Sequence, residues 1–277
     1  MSKKTVKLLA RVPLMLVLAV GVFISIFPFY WMTVMGTVTQ DKIFSQMPLL
    51  PGNALKENYE SLIGGIPFFR AIFNSVYISF ATTILTVFIS ALAGYAFGKF
   101  EFAGKKAAFS IVMATMMIPA QLGLVAFVWE MNLIGWSDTH WPLIIPSIAS
   151  GFGVFWMRQY IQGTVYSELL ESARIDGCKE FGVFIRIVLP VIKPAIFSLG
   201  ILTFMGNWQN FLTPLVILNS IGKYTLPLAI AALKGVHRNN YSAQFLGLTL
   251  GTIPVIVVFL TGTKTFISGL TAGAVKG

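Results

Sequence analysis

Apolar residues gather in six long runs along the chain, near 12–35, 71–97, 107–128, 143–161, 195–218 and 244–267. Each comes close to or exceeds the about 20 residues that a helix needs to cross a hydrocarbon core. In lipid the backbone must satisfy its own hydrogen bonds, so runs of this length predict helices. Pro28, Pro119, Pro146, Pro214 and Pro254 lie inside runs and predict kinks. Kinked helices fit a bundle around a path, and they fit plain packing too. The pattern predicts an all-α integral membrane protein with six transmembrane helices and one membrane domain over residues 1–277.

The first run follows Lys3, Lys4, Lys7 and Arg11, a basic start like that of a signal peptide. It then continues too far for a signal core, and no small-residue cleavage site follows. It reads as a retained anchor and first span.

Composition supports the same class. The chain has 277 residues, of which 56% are hydrophobic and 11% charged. A soluble domain carries roughly 25% charged residues. The net charge of +10 would suggest an anionic partner on a soluble protein, but here Lys and Arg lie between apolar runs, where topology signals sit. Nucleic acid is therefore not the expected partner; membrane lipid is. With the N-terminus on the cytoplasmic side, 14 Lys and Arg fall in inside segments and 6 in outside segments, while the acidic residues divide equally. The bias places both termini in the cytoplasm. Long loops then lie outside at about 36–70 and 219–243, and inside at 163–194. Cys178 is the one cysteine, so no internal disulfide forms, and neither it nor His140 nor His237 has neighbours at metal-ligand spacing.

The inside loop is the informative segment. Residues 168–193 read ELLESARIDGCKEFGVFIRIVLPVIK. Glu168, Glu171 and Ser172 share one face of a short helix, and Leu169, Leu170 and Ala173 another. Gly177 offers a turn of positive φ. A second short helix follows, with Phe181, Phe184, Ile185 and Val188 as its apolar stripe and Lys179, Gly182, Val183 and Arg186 on another face. Pro190 and Pro194 are expected to end it and to open the next span. Such a pair of helices either floats at the lipid headgroups or forms a knob for a socket on a partner. The acidic first helix, repelled by anionic lipid, favours the knob.

This loop resembles the EAA loop of ABC importer permeases, which reads EAA, three residues, Gly, nine residues, then I-x-L-P. Glu171, Ala173, Gly177, Ile187, Leu189 and Pro190 match it, and Ser172 replaces one alanine. ALAGYAFGKFEFAGKK (91–106), MMIPAQLG (116–123), FGVFWMRQYI (152–161), WQNFLTPL (208–215) and GLTAGAVKG (269–277) are similar to the carbohydrate-uptake branch, in particular to the second membrane subunit of maltose-type transporters. The resemblance implies a six-span fold in a bacterial cytoplasmic membrane. It also implies partners: a second homologous permease, two ATPase subunits, and an extracytoplasmic sugar-binding protein. It implies that residues Glu168, Glu171, Ala173, Asp176, Gly177, Phe181, Ile187, Leu189 and Pro190 couple to the ATPase. By the same resemblance the tail, with Gly273, Lys276 and Gly277, reaches between the ATPase subunits.

No phosphate-binding loop occurs. GYAFGKF (94–100) has glycines four apart, and Phe100 stands where a magnesium-binding hydroxyl belongs. ATP and magnesium are thus expected on the partners, and no catalytic constellation and no cofactor on this chain. Acidic groups avoid the spans apart from Glu130 near a boundary, which argues against an ion-driven carrier. Polar residues within the runs are the candidates for a solute path: Asn74, Gln121, Asn207, Asn210 and Phe211. Asn207 and Asn210 are expected to share a helix face, with Gln209 pointing elsewhere. Their plainer reading is interhelical hydrogen bonding. A carrier or channel acting alone, a structural subunit without a path, and a polyol phosphate as solute stay open here.

Overall fold

A computed structural model describes residues 3–45, 47–233 and 240–274. Among these the regular structure is helical: α1 (Lys3–Met35), α2 (Gln40–Ser45), α3 (Leu55–Gly65), α4 (Phe68–Lys99), α5 (Lys105–Thr115), α6 (Leu124–Leu133), α7 (Trp141–Ile144), α8 (Gly151–Thr164), α9 (Ser167–Ile175), α10 (Glu180–Val183), α11 (Leu189–Val191), α12 (Lys193–Trp208), α13 (Leu212–Ile217), α14 (Leu226–Ala231) and α15 (Tyr241–Ala274). A π-helical turn, Phe184–Val188, joins α10 to α11. Among the described residues three helical stretches are long and apolar enough to cross a membrane: Pro13–Met35, Phe68–Lys99 and Tyr241–Gly262. A fourth is formed if the bent pair Glu180–Val191 and Lys193–Trp208, at 79°, makes one span.

The other apolar runs are not single helices. The run at 107–128 breaks after Thr115 and resumes, through a 3₁₀ turn at Ala120–Gly123, in α6. Pro119 sits in the break with extended backbone, as a residue without an N–H and with fixed φ permits. The run at 143–161 breaks before α8, whose Ser150 hydroxyl caps the helix by accepting from the Gly153 amide at 3.0 Å. The run at 195–218 breaks between Trp208 and Leu212, and the Asn210 side-chain oxygen accepts the Thr213 amide at 3.3 Å. Hydropathy counts apolar residues and does not register caps, so continuous helices were expected where broken ones stand.

The chain packs as two compact units. One takes the residues up to Phe68 together with Ile230–Ile253. In it α1 presents apolar side chains outward from Leu14 to Phe29, as a lipid-facing helix does. Its end is tied down. A Cβ on Gly36 would stand 2.9 Å from the Leu246 backbone, so α1 meets α15 there without an intervening side chain. The buried Asn58 amide donates to the carbonyls of Gly36 and Val38, each at 2.9 Å.

The other unit takes Phe69–Ala229 and the chain from Pro254. Its axis is α4. Near the start of α4, Asn74 donates to the carbonyls of Gly222 and Tyr224 at 3.1 and 3.0 Å, and the Ser75 hydroxyl accepts the Leu226 amide at 2.7 Å. Beside them Asp138 accepts the amides of Asn219 and Ser220, the Ser220 hydroxyl and the Lys223 ammonium at 2.6–2.9 Å. Desolvation pushes the Asp138 carboxyl up. The bonds from Ser220, Asn219 and Lys223 outweigh it and hold the group below the usual carboxylate range. Toward the other end, α4 lies against α8 with glycine on both sides of the contact. A Cβ on Gly94 would be 2.6 Å from the Met157 Cβ, and one on Gly153 would overlap Ser90.

Candidate functional site

The loop 163–194 folds as a knob built on a buried anchor. α9 ends at Ile175, and Gly177 follows with φ of 81°. The Cys178 amide reaches the Ala173 carbonyl at 2.9 Å and the Gly177 amide reaches Arg174 at 3.0 Å. This pair of bonds satisfies helix-end carbonyls around a left-handed residue, a position that glycine takes at no steric cost. The turn is closed again on the outside. Arg174 Nε donates to Glu180 at 2.6 Å, and the Tyr95 hydroxyl donates to the same carboxylate at 3.2 Å.

The anchor is apolar. Leu170 and Ala173 of α9, Val183 of α10 and Phe184 and Val188 of the π turn are buried among Ala91 and Tyr95 of α4, Met157 and Ile161 of α8, and Leu199 of α12. Ile187 and Leu189 pack against this cluster. The Tyr95 ring stacks on Phe184 with centroids 5.7 Å apart.

The expected stripe of the second helix needs correction. Phe181 and Ile185 are exposed, and Val183, assigned to another face, is fully buried. The reason is the π turn: the Leu189 amide bonds to the Phe184 carbonyl, five residues back. The wider turn rotates the register, so a period of 3.6 no longer predicts the buried face. Pro190, which lacks an amide hydrogen, follows that turn and does not end the helix, which runs to Val191. The break comes at Ile192, and Pro194 opens α12 as expected.

The face left to solvent carries Glu168, Glu171 and Asp176, all exposed, with Tyr166 at 72%, Ile175 at 86% and Phe181 at 62% exposure. Acidic groups thus stand among large apolar side chains. The nine residues predicted to couple divide by place: Glu168, Glu171, Asp176, Phe181 and Pro190 face outward, Ala173, Ile187 and Leu189 hold the anchor, and Gly177 makes the turn.

The predicted path residues also divide. Asn74 is spent on the loop carbonyls already described, a structural bond to a loop and not the interhelical one of the plainer reading. Asn207 donates to Thr203 of its own helix at 2.8 Å. α12 ends at Trp208, so Asn207 and Asn210 do not share a helix face as their spacing predicted. Gln121, Asn210 and Phe211 do come together. They line a cavity of about 420 Å³ with Gln209 and Thr213. Gln209 was expected to point elsewhere, and the helix end reverses that. A second cavity, of about 480 Å³, shares Leu124, Asn210 and Thr213 with the first and adds Glu130, Phe127 and Ser147. Glu130 and Thr213 were not singled out as path residues; Glu130 of α6 meets Asn210 only through the fold, whereas Thr213 stands three residues from Asn210 and its amide donates to that side chain. Of the tail residues, Gly273 lies in α15, while Lys276 and Gly277 lie outside the described residues.

The arabinooligosaccharides transport system permease protein AraQ of Bacillus subtilis is 40% identical over 225 residues, covering 80% of this chain and 79% of that protein. The lactose transport system permease protein LacG of Rhizobium radiobacter is 32% identical, with 94% of each covered. The trehalose/maltose transport system permease protein MalG of Thermococcus litoralis is 30% identical over 98% of this chain and 99% of its own. The fold matches a chain of a bacterial ABC transporter involved in the import of the acidic polysaccharide alginate, with a TM-score of 0.81 over 96% of this chain and 99% of that one at 18% identity. The model of the binding-protein-dependent transport system inner membrane component family matches residues 87–267, and the chain belongs to that family.

Proposed function

We propose that this chain is a permease subunit of an ATP-binding-cassette importer and forms half of the path for a sugar or oligosaccharide delivered by an extracytoplasmic binding protein. The observation that carries this is the knob at 163–194. Its inner side is welded by apolar packing to α4, α8 and α12, while its outer side offers carboxylates among exposed apolar groups. A rigid foot with such a sole transmits force from a partner; a headgroup-floating segment needs no buried anchor of this kind. Named relatives that transport arabinooligosaccharides, lactose and trehalose or maltose support the sugar class. Amides and aromatic rings in the cavities at Asn210 suit a sugar, which offers hydroxyls at its rim and C–H groups on its face.

In this reading six spans cross a bacterial cytoplasmic membrane with both termini inside, three of them broken, and the Lys and Arg bias sets the orientation. A second, homologous permease completes the path. Two ATPase subunits bind ATP and magnesium, so this chain is not itself an enzyme. Their closure moves the knob, and the spans shift between inward- and outward-facing states of different affinity for the partners. Glu171 meets a basic residue of an ATPase subunit, and the tail from Gly273 reaches between the two subunits. Glu171→Lys is the test. The variant should reach the membrane and assemble, yet solute uptake should separate from ATP hydrolysis and fall at least about tenfold, the effect of inverting one buried interfacial charge pair. Full uptake in that variant would remove the docking role. Uptake by this chain alone in liposomes would replace the importer with a carrier.

A further inference from the structure

The two cavities that meet at Asn210 differ in kind from another cavity of the same unit. That one, about 450 Å³, is lined by α4, α11, α12 and α15 with residues such as Ile84, Phe88, Phe197 and Phe204, and threonines are its only side chains with a polar atom. It is a place for hydrocarbon. The clefts at Asn210 instead carry Gln121, Gln209, Asn210 and Thr213, and one charged group, Glu130. They form where two apolar runs lose α-helical structure, at 116–123, which includes the 3₁₀ turn, and at 209–211. Irregular backbone at membrane depth is tolerated where protein covers it or where water fills the space beside it. Gln121 and Gln209 are exposed, which fits water.

No Lys or Arg lines either cleft, and Glu130 makes no ion pair among the described residues. A single carboxylate between low-dielectric walls sets the sign of the potential in the space it faces. We propose that the joined clefts at Asn210 are a wet segment of the solute path that rejects anions through Glu130, so that the path accepts uncharged oligosaccharides and excludes hexuronate or phosphorylated ones. The proposal rests on the importer reading for its solute, but the charge selection belongs to these side chains alone. The fold is shared with a transporter of the acidic polysaccharide alginate, so the fold does not dictate the sign of charge that passes.

The test uses thiol labelling of the assembled complex in membrane vesicles. Cys178 is replaced by Ala, and a cysteine is introduced by Asn210→Cys. A second variant, Ile84→Cys, serves as the control in the apolar cavity. Each is treated with cationic and anionic methanethiosulfonate reagents of similar size, and the rates are divided by those for a small thiol in water. Asn210→Cys should react, with a preference for the cationic reagent of about fivefold or more, as expected of one charge acting at moderate distance through a partly aqueous space. Adding Glu130→Gln should bring the ratio close to one. Ile84→Cys should react with neither reagent. A silent Asn210→Cys would show a dry site, and a preference that survives Glu130→Gln would take the selection away from Glu130; either result overturns the proposal. Labelling needs no ATP and no solute. Its failure therefore leaves the Glu171→Lys experiment intact, and a failure of that experiment leaves the charge selection standing.

Discussion

The two ends of α4 are fastened by opposite means. Near its start the bonds are polar and directional: Asn74 holds two carbonyls, Ser75 holds an amide, and Asp138 gathers four donors close by. Toward Lys99 the fastening is apolar, with Tyr95 and Ala91 packed among Phe184, Val183 and Val188, and one ion pair at the rim. Polar fastening fixes one geometry, because a shift of an ångström breaks its bonds. Apolar fastening tolerates small sliding and resists separation, since it scales with buried area. A segment that receives force, the role proposed for the knob, suits the second kind, and a segment that must keep its loops in a fixed shape suits the first.

The largest effect should come from the apolar end. Phe184→Ala empties a fully buried site and should cost about 3–5 kcal/mol, read as a lower melting temperature of the purified protein in detergent. A loss under about 1 kcal/mol would show that the anchor is not the main fastening. At the polar end, Asn74→Ala leaves two carbonyls without their donor and should cost roughly 1–3 kcal/mol. Asn74→Asp should not restore it, because a carboxylate has no hydrogen to give. If Asn74→Ala melts like the parent protein, the polar end is decoration.

The smallest effect separates the ends by pH. The Asp138 carboxyl is held below its unfolded value, so its contribution is complete above the usual carboxylate range. That contribution is lost as pH falls through the folded value. Acid should therefore weaken the polar end, and Asp138→Asn should flatten that part of the melting-versus-pH curve. An unchanged curve would deny Asp138 its role. The Arg174–Glu180 pair, with side chains 39% and 48% exposed, contributes at most about 1 kcal/mol and does not alter the ranking.

The helical class and the knob were legible in the sequence because each has a local signature: long apolar runs for the first, and a glycine placed between two short amphipathic helices for the second. The buried face of the second helix was not legible, since Pro190 sits next to a π turn that shifts the register by one residue. Asn74 showed in the sequence only as a polar residue inside a span. Its partners lie 148 and 150 residues away, a distance that no periodicity reports. The clefts at Asn210 depend on two helix ends meeting, and a hydropathy profile smooths over both. Asp138 has positive φ, which Asp tolerates better than most residues, but the sequence WSDTH gives no sign of the four donors that converge on it.

The contact between α4 and α8 has a mechanical consequence. With Gly94 on one rod and Gly153 on the other, the two approach closely, with only the base of the Met157 side chain and the Ser90 hydroxymethyl set against the glycines. They form a single girder with no backlash. α8 passes within three residues into α9, so in the role proposed for the knob a push there would reach α4 through this close contact. A methyl group at either glycine would act as a shim, and the stroke delivered at one end would no longer equal the travel at the other.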